Sequence, residues 1–435
     1  MKAMVIGIPP EYIYPGTIQE WSRSNTYYAA NLGASLITNS LLRQFPADYI
    51  GVDQFNDIGD LKNRYDVCIL AFATHIHPRR DVSIFADLLE KLNIQTVVIS
   101  AGISDYDQKA SISYQIHPSM RRILHRAAES SQWIGVRGHY TASVLRSNGF
   151  KNVVPIGCPS TYWPLDRDIV IAKPKGFTKP LVAYHRLIAI NCYEAIRSIP
   201  LLGQDWQDQP LFTDTLQNDT GLWNYLNRTY AEKGDELKKK ILDIIDSNGH
   251  FFFHFKQWFN FIGKHDFVIG GRLHGTIAAL IQQIPAVLVP RDLRTREIAE
   301  FYNLPTATYE DLNRYLIEGV FHRADFADFN ETYALRRANY IKLLDENGLN
   351  HKLTQTKKLE DFKFTFDDFN SSINLAYSML SDLRSDLELV REEQRLFREG
   401  MLITRIRRLI GYLRYAIGKL LRRGMKKINR MVGKV

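Results

Sequence analysis

Apolar positions along the chain change their period three times. From the N-terminus to about position 165, short β-rich runs alternate with stretches whose apolar residues recur every three to four positions, the pattern of parallel strands joined by crossover helices. Met4–Ile8, Val67–Phe72, Thr96–Ala101, Trp133–Val136 and Val153–Ile156 predict strands, and Gly33–Phe45, Asp81–Leu92, Pro118–Glu129 and Tyr140–Asn148 predict helices. The Lys- and Pro-containing stretch 166–180 predicts a linker. A second alternating series occupies 181–330, with strands predicted at Leu187–Asn191, His250–His254, Phe267–Ile269 and Ala286–Val289, and helices at Asp235–Asp246, Gly275–Gln283 and Thr295–Tyr302. Trp206–Arg228 is long, polar and aromatic, and reads as an insertion facing a cleft. The expectation is an α/β protein of two domains, 1–165 and 181–330.

Beyond position 330 the alternation stops. A helical connection is expected over 331–372. Ile373, Ala376, Leu380, Leu383, Leu387, Val390, Gln394, Phe397 and Met401 then follow a 3-4 spacing, and all but Gln394 are apolar. That repeat predicts a coiled coil over 373–401 and a homo-oligomer built through it. On a helix over 402–435, Ile406, Ile410, Leu413, Ile417, Leu420 and Ile428 share one stripe, while Arg407, Arg408, Arg414, Lys419, Arg422 and Arg423 cover the opposite arc. An apolar stripe with a basic counter-face predicts a helix lying on an anionic membrane surface.

Charge sharpens this division. The 435 residues carry a formal net charge of +9. Residues 401–435 hold eleven Lys or Arg and no acidic residue, which leaves 45 basic against 47 acidic residues in the rest. A basic nucleic-acid-binding globule is therefore disfavoured, and no nucleic-acid partner is expected. Composition is that of a folded chain, 45% hydrophobic and 24% charged. The stretch Leu273–Pro290 holds no Lys, Arg, Asp or Glu but is interrupted by Gln282, Gln283 and Pro285, against a membrane span. The N-terminal apolar run is too short for a signal peptide. Cys68, Cys158 and Cys192 are too few and scattered for a zinc site or a disulfide framework. A cytoplasmic protein held peripherally on the inner face of the cell membrane is expected, with no metal.

Candidate chemistry concentrates in Asp266-Phe-Val-Ile-Gly-Gly-Arg-Leu-His-Gly-Thr276. A buried strand ends at a glycine pair, and Arg272 and His274 follow where a helix should start. In open α/β sheets ligands bind outside the carboxyl ends of strands, where a helix N-terminus favours an anion. Arg272 adds a planar cation suited to carboxylate or phosphate, and His274 is suited to moving a proton near neutral pH. Cys158, before Pro159, reads as a buried small hydrophobe. His75 and His77 lack the partners a metal site needs.

These residues resemble the Arg-x-His-Gly motif of the polysaccharide pyruvyl transferase family. Ala286–Val289, Arg291–Glu300 and Leu304-Pro305 are similar to the stretch that follows the motif in that family, and Trp133–Gly138, Tyr140–Leu145, Gly149 and Gly157–Ser160 to the end of its first domain. Asn31-Leu32-Gly33 is similar to its Asn-x-Gly helix entry. The resemblance covers roughly positions 1 to 310; Leu181–Asn191 and everything after 330 lie outside the pattern.

The resemblance implies two Rossmann-like domains in a GT-B-like arrangement, followed here by a helical C-terminal extension. It implies transfer of pyruvate from phosphoenolpyruvate, the donor substrate, to two hydroxyls of a sugar in a polysaccharide or lipid-linked saccharide. The product is a cyclic ketal, phosphate is released, and no further cofactor is needed. Arg272 and His274 would be catalytic. Arg137, Gly271, Gly275, Arg291 and Arg294 would bind substrate, the arginines as cations for the donor and the glycines by letting backbone approach it. His274 is suited either to protonating the leaving phosphate or to deprotonating the attacking hydroxyl. Two other readings stay open: a GT-B-like glycosyltransferase using a nucleotide sugar, and a catalytically inactive scaffold of polysaccharide assembly.

Overall fold

The structure, a computed structural model, describes residues 1–11, 31–104, 114–172, 176–205, 208–213 and 235–356. All of them fall within one compact unit, Met1–Thr365. The coiled-coil segment 373–401, the basic segment 402–435 and most of Trp206–Arg228 lie outside the described residues.

The fold is α/β with parallel sheets. In the N-terminal half, β1 (Ala3–Gly7), β2 (Ala47–Tyr49), β3 (Val67–Ala71) and β4 (Gln95–Ile99) form a parallel sheet in the order β2-β1-β3-β4. A parallel pair, β5 (Ile134–Val136) and β6 (Val153–Pro155), joins it through a bridge from Ala101 to Val136. The crossovers are α1 (Leu32–Gln44), α2 (Ile58–Arg64), α3 (Ser83–Leu92), α4 (Pro118–Ser130) and α5 (His139–Ser147). Residues in β1 and β3 are buried throughout, as expected of strands covered on both faces. Asn31 starts α1 by accepting the Ala34 N–H at 3.0 Å.

The C-terminal half has a five-stranded parallel sheet, β11-β10-β7-β8-β9, from β7 (Pro180–Ala183), β8 (Leu201–Leu202), β9 (Gly249–His250), β10 (Phe267–Gly270) and β11 (Ala286–Leu288). Its helices are α6 (Arg186–Asn191), α7 (Tyr193–Ile196), α8 (Gln209–Phe212), α9 (Asp235–Asn248), α10 (Phe255–Ile262), α11 (Leu273–Leu280), α12 (Leu293–Tyr302) and α13 (Tyr309–Arg323). Strand order reverses at β7 and β10, the kind of switch point where open α/β sheets bind ligands.

Two strand expectations are corrected. Leu187–Asn191 is helix α6, because Pro180–Ala183 upstream already fills the central sheet position and the His185 ring accepts the Leu187 N–H at 3.3 Å, starting a helix. A short apolar run such as Leu-Ile-Ala-Ile has no period that separates strand from helix. His250–His254 contributes strand only at Gly249–His250; beyond it, Phe255 opens α10.

One apolar core runs from the N-terminal sheet through α1 (Leu36, Leu41) and α11 (Ile277, Leu280) into the C-terminal sheet, and a second, built on Val182, Ile188, Ile245, Phe267 and Phe321, covers other residues of the C-terminal sheet. Helix α14 (Ala327–Glu346) then carries the chain back onto the N-terminal half. Tyr340 donates to Gln44 Oε1 at 2.7 Å and stacks on Tyr162, Tyr333 donates to the Thr161 carbonyl at 2.9 Å, and Arg337 donates to the Pro164 carbonyl at 3.0 Å. Just past the helix, Asn347 pairs with both backbone groups of Trp133. Among the described residues, no helix is long and apolar enough to cross a membrane.

Candidate active site

The polar side chains that matter stand a few residues beyond the carboxyl ends of parallel strands: Arg137 after β5, Cys158 after β6, His185 after β7, Gln204 and Asp205 after β8, Arg272 after β10 and Arg291 after β11. Parallel strands bring these ends to one side of each sheet, and α1 and α11 pack between the sheets. In this way, residues distant in sequence become neighbours.

Arg272 is the N-cap of α11 and only 6% exposed. Its Nη1 meets Asp205 Oδ2 at 2.5 Å, its Nη2 meets Asp208 Oδ1 at 2.7 Å, and its Nε donates to the Tyr184 carbonyl at 3.1 Å. Burial opposes its charge, but the two carboxylates outweigh burial and hold its pKa above the ordinary arginine value. Asp208 is pushed up to about 7, by burial and by Asp205 beside it, against the pull of Arg272. Backbone groups tie these carboxylates further: the Asp208 N–H donates to Asp205 Oδ1 and the Gln204 N–H to Asp208 Oδ2, each at 3.2 Å.

His274 lies in the first turn of α11, facing the N-terminal half. Its Nε2 is 3.6 Å from Cys158 Sγ. Gly33, in the first turn of α1, makes room for it, since a Cβ there would lie 2.9 Å from His274 Cβ and collide with Gln204. The Leu32 N–H donates to the Gln204 carbonyl at 2.9 Å, and Asn31 bridges Asp205, so the start of α1 is bound to the loop that embraces Arg272. Burial, reinforced by Arg137, pushes the His274 pKa down to about 3, so the imidazole is neutral.

Arg137 is 3% exposed, and its Nε and Nη2 have no hydrogen-bond partner. Burial depresses its pKa, while Cys158 and Glu297 favour its charge and Arg294 opposes it. Glu297, on α12, reaches across to α5, where its carboxylate accepts the Thr141 N–H at 2.6 Å and the Thr141 hydroxyl at 2.9 Å. Burial pushes Glu297 up to about 7 despite these bonds and Arg137.

The other expected residues are also in place. Arg291 contacts His185 Nε2 through Nη1 and Asp292 at 3.3 Å, and burial, with Arg272 and Arg294 nearby, lowers it to about 10. Arg294 forms a 2.6 Å ion pair with Asp292, the N-cap of α12. Burial, with Arg272 and Arg291, holds His185 well below the usual histidine range. Gly271 lies against His185, and Gly275 lets α11 approach β7, where a Cβ would stand 2.8 Å from that of Ala183. Of the seven expected residues, Arg137 and His274 gather near Cys158, with Glu297 acting on Arg137, while Arg272, Arg291 and Gly271 gather near His185, Asp205 and Asp208. Arg294, paired with Asp292, acts on both Arg137 and Arg291, and Gly275 packs α11 onto β7. A surface hollow of about 690 Å³ beside Tyr114, Arg121 and Asn148 is lined by none of these side chains. Among the described residues, no group of three or more His, Cys, Asp or Glu is arranged to hold a metal.

Four residues escaped the sequence reading: His185, Asp205, Asp208 and Glu297. The first three follow strands of four and two residues, too short to leave a periodic signal. The signal for His185 is its place two residues beyond the short apolar strand Pro180–Ala183.

Fold and site define an α/β protein with buried arginines and a neutral histidine gathered where its two parallel sheets meet. The chain belongs to the polysaccharide pyruvyl transferase family, whose sequence model matches residues 31–292. No curated protein sequence matches it. Among solved structures, S. aureus MnaA with UDP aligns at 13% identity over 83% of this chain and 100% of that one, with a TM-score of 0.38. The UDP-GlcNAc 2-epimerase of Neisseria meningitidis bound to UDP-GlcNAc aligns at 11% identity over 79% of this chain and 100% of that one, also with a TM-score of 0.38.

Proposed function

We propose that this chain transfers the pyruvyl group of phosphoenolpyruvate to two hydroxyls of a sugar in a polysaccharide or lipid-linked saccharide. The two halves would act as Rossmann-like domains in a GT-B-like arrangement, with the donor between them. The observation that carries this reading is Arg137: a buried guanidinium with two unpartnered nitrogens beside a neutral histidine calls for an anion. Phosphoenolpyruvate offers a carboxylate and a phosphate; Arg294, which acts on Arg137, and Arg291, which acts on Arg294, would supply further cations.

In the reaction, the enol C3 gains a proton, one sugar oxygen bonds to C2, and the second sugar oxygen displaces phosphate from C2. The two hydroxyl protons balance the one gained at C3 and the one that leaves with phosphate. His274, neutral in the ligand-free protein, is suited to taking a hydroxyl proton; donor charge beside it raises its basicity. Arg272, locked by Asp205 and Asp208, would fix the start of α11 and so the place of His274.

The test is acceptor-dependent phosphate release from phosphoenolpyruvate by the purified chain, with membrane-extracted saccharide as acceptor. Release that does not depend on acceptor, or none from folded protein, refutes the reading. The basic stripe of 402–435 motivates a place on the inner face of the cell membrane, where a lipid-linked acceptor would be met, and 373–401 motivates a homo-oligomer. Truncation after Gly400 should abolish binding to anionic vesicles; equal vesicle binding would refute anchoring.

A further inference from the structure

Glu297 bridges the two halves at the point where Arg137 emerges. Its carboxylate takes both donors of Thr141 in the first turn of α5, directly after the Arg137-Gly138 pair. Gly138 has no room for a side chain, since a Cβ there would meet Glu297 Cδ at 2.9 Å. The charged groups facing Glu297 are Arg137, from the end of β5, and Glu300, from its own helix; Arg294, one turn earlier on α12, faces Arg137 as well. Arg137 therefore feels a buried carboxylate that comes from the opposite half, yet two of its guanidinium nitrogens, Nε and Nη2, stay unpartnered.

We propose that Glu297 is the positioning residue for Arg137, clasping the two halves through Thr141 and serving as the counter-charge that an anionic donor replaces. The proposal rests on the donor reading given above. When phosphoenolpyruvate joins Arg137, a second negative charge enters a buried space, and Glu297 answers by binding a proton from solvent. Protonated, it still accepts the Thr141 N–H through its carbonyl oxygen, so the clasp survives while the charge is handed over. Burial already brings Glu297 to about 7, so this exchange falls within the neutral range. Donor affinity is then highest below that pH and falls as pH rises through it, because proton uptake accompanies binding.

Two measurements on the full chain decide it. In the ligand-free protein, hydrogen exchange at the Thr141 amide should quicken about tenfold or more in Glu297→Ala and stay near wild type in Glu297→Gln. Unchanged exchange in Glu297→Ala overturns the clasp, whether or not the chain turns over any donor. Glu297→Asp, which keeps the charge but shortens the reach, supplies this readout if the alanine variant does not fold. In phosphoenolpyruvate titrations from pH 6 to 8, wild-type affinity should weaken about tenfold more than that of Glu297→Gln, since titration of the donor itself affects both alike. Parallel weakening overturns the counter-charge. Wild-type protein that binds no phosphoenolpyruvate at any pH overturns the donor reading and the counter-charge with it, while exchange at Thr141 still decides the clasp.

Discussion

His274 Nε2 stands 3.6 Å from Cys158 Sγ, the imidazole reaching out of the C-terminal half and the thiol belonging to the N-terminal half. The contact places the neutral ring of the Arg-x-His-Gly motif against the segment that follows β6, in the field of Arg137. Replacing His274 by Gln should therefore cost about 100-fold or more in kcat, the usual worth of a positioned proton-transfer group, with a smaller effect on KM for phosphoenolpyruvate. Steady-state kinetics on folded protein check this; equal kcat would remove His274 from the chemistry.

Truncation should cost more stability at Arg272 than at Arg137. Arg272→Ala strands Asp205 and Asp208 in the interior, and breaking a buried pair from one side costs roughly 3–5 kcal/mol. Urea unfolding should reveal that loss before any assay of activity is interpreted.

Arg137→Met removes a buried cation whose N–H groups are partly unused, and Glu297, deprived of that counter-charge, can be neutralised by a proton, so the loss of stability should be smaller than for Arg272→Ala. Its affinity for phosphoenolpyruvate should nevertheless fall by more than tenfold, read by calorimetric titration.

The pH dependence of stability carries a definite sign. Glu297 is raised from an ordinary 4.5 to about 7, so its contribution is fully present below pH 4.5 and is lost as pH rises to 7, by roughly 3 kcal/mol. His274, lowered from 6.5 to about 3, works the other way and contributes above pH 6.5. Glu297→Gln removes only the first of these. Its stability relative to wild type should therefore climb between pH 4.5 and 7, measured by urea melts across that range; a constant difference would show that Glu297 does not titrate there.

Gly33→Ala should disturb the junction of the halves. The added methyl would collide with Gln204 and approach His274 Cβ to 2.9 Å, and overpacking of this kind costs about 1–3 kcal/mol. A fall in melting temperature together with a lower kcat is the expected pair of effects.

Long, regular elements were legible in the sequence. The strands at Met4–Ile8, Val67–Phe72 and Phe267–Ile269 and the helices at Gly33–Phe45 and Pro118–Glu129 recur in the structure within one to two residues, because each pairs a strong period with clear punctuation. The Arg-x-His-Gly segment fell where the reading put it, at a strand end opening a helix. The two-residue strand β8 left no pattern to read, and with it went the origin of Asp205 and Asp208. Glu297 was hidden for another reason. In sequence it is one more charged residue of a mixed-charge helix, and only the approach of α5 turns it into a buried group. The return of α14 onto the N-terminal half was equally invisible, because its partners lie so far back along the chain.

That return has a consequence for biosynthesis. Gln95, at the start of β4, donates to the carbonyl of Asn347, 252 residues further along the chain, and Gln44 and Trp133 also await partners from α14 or just beyond it. As the chain leaves the ribosome from its N-terminus, the first sheet emerges long before the helix that finishes its surface has been translated. Until then the cavity intended for Tyr333, Arg337 and Tyr340 stands open on the nascent polypeptide. Stopping translation at position 330 would not yield two independent halves, but would leave the older half permanently without its final wall.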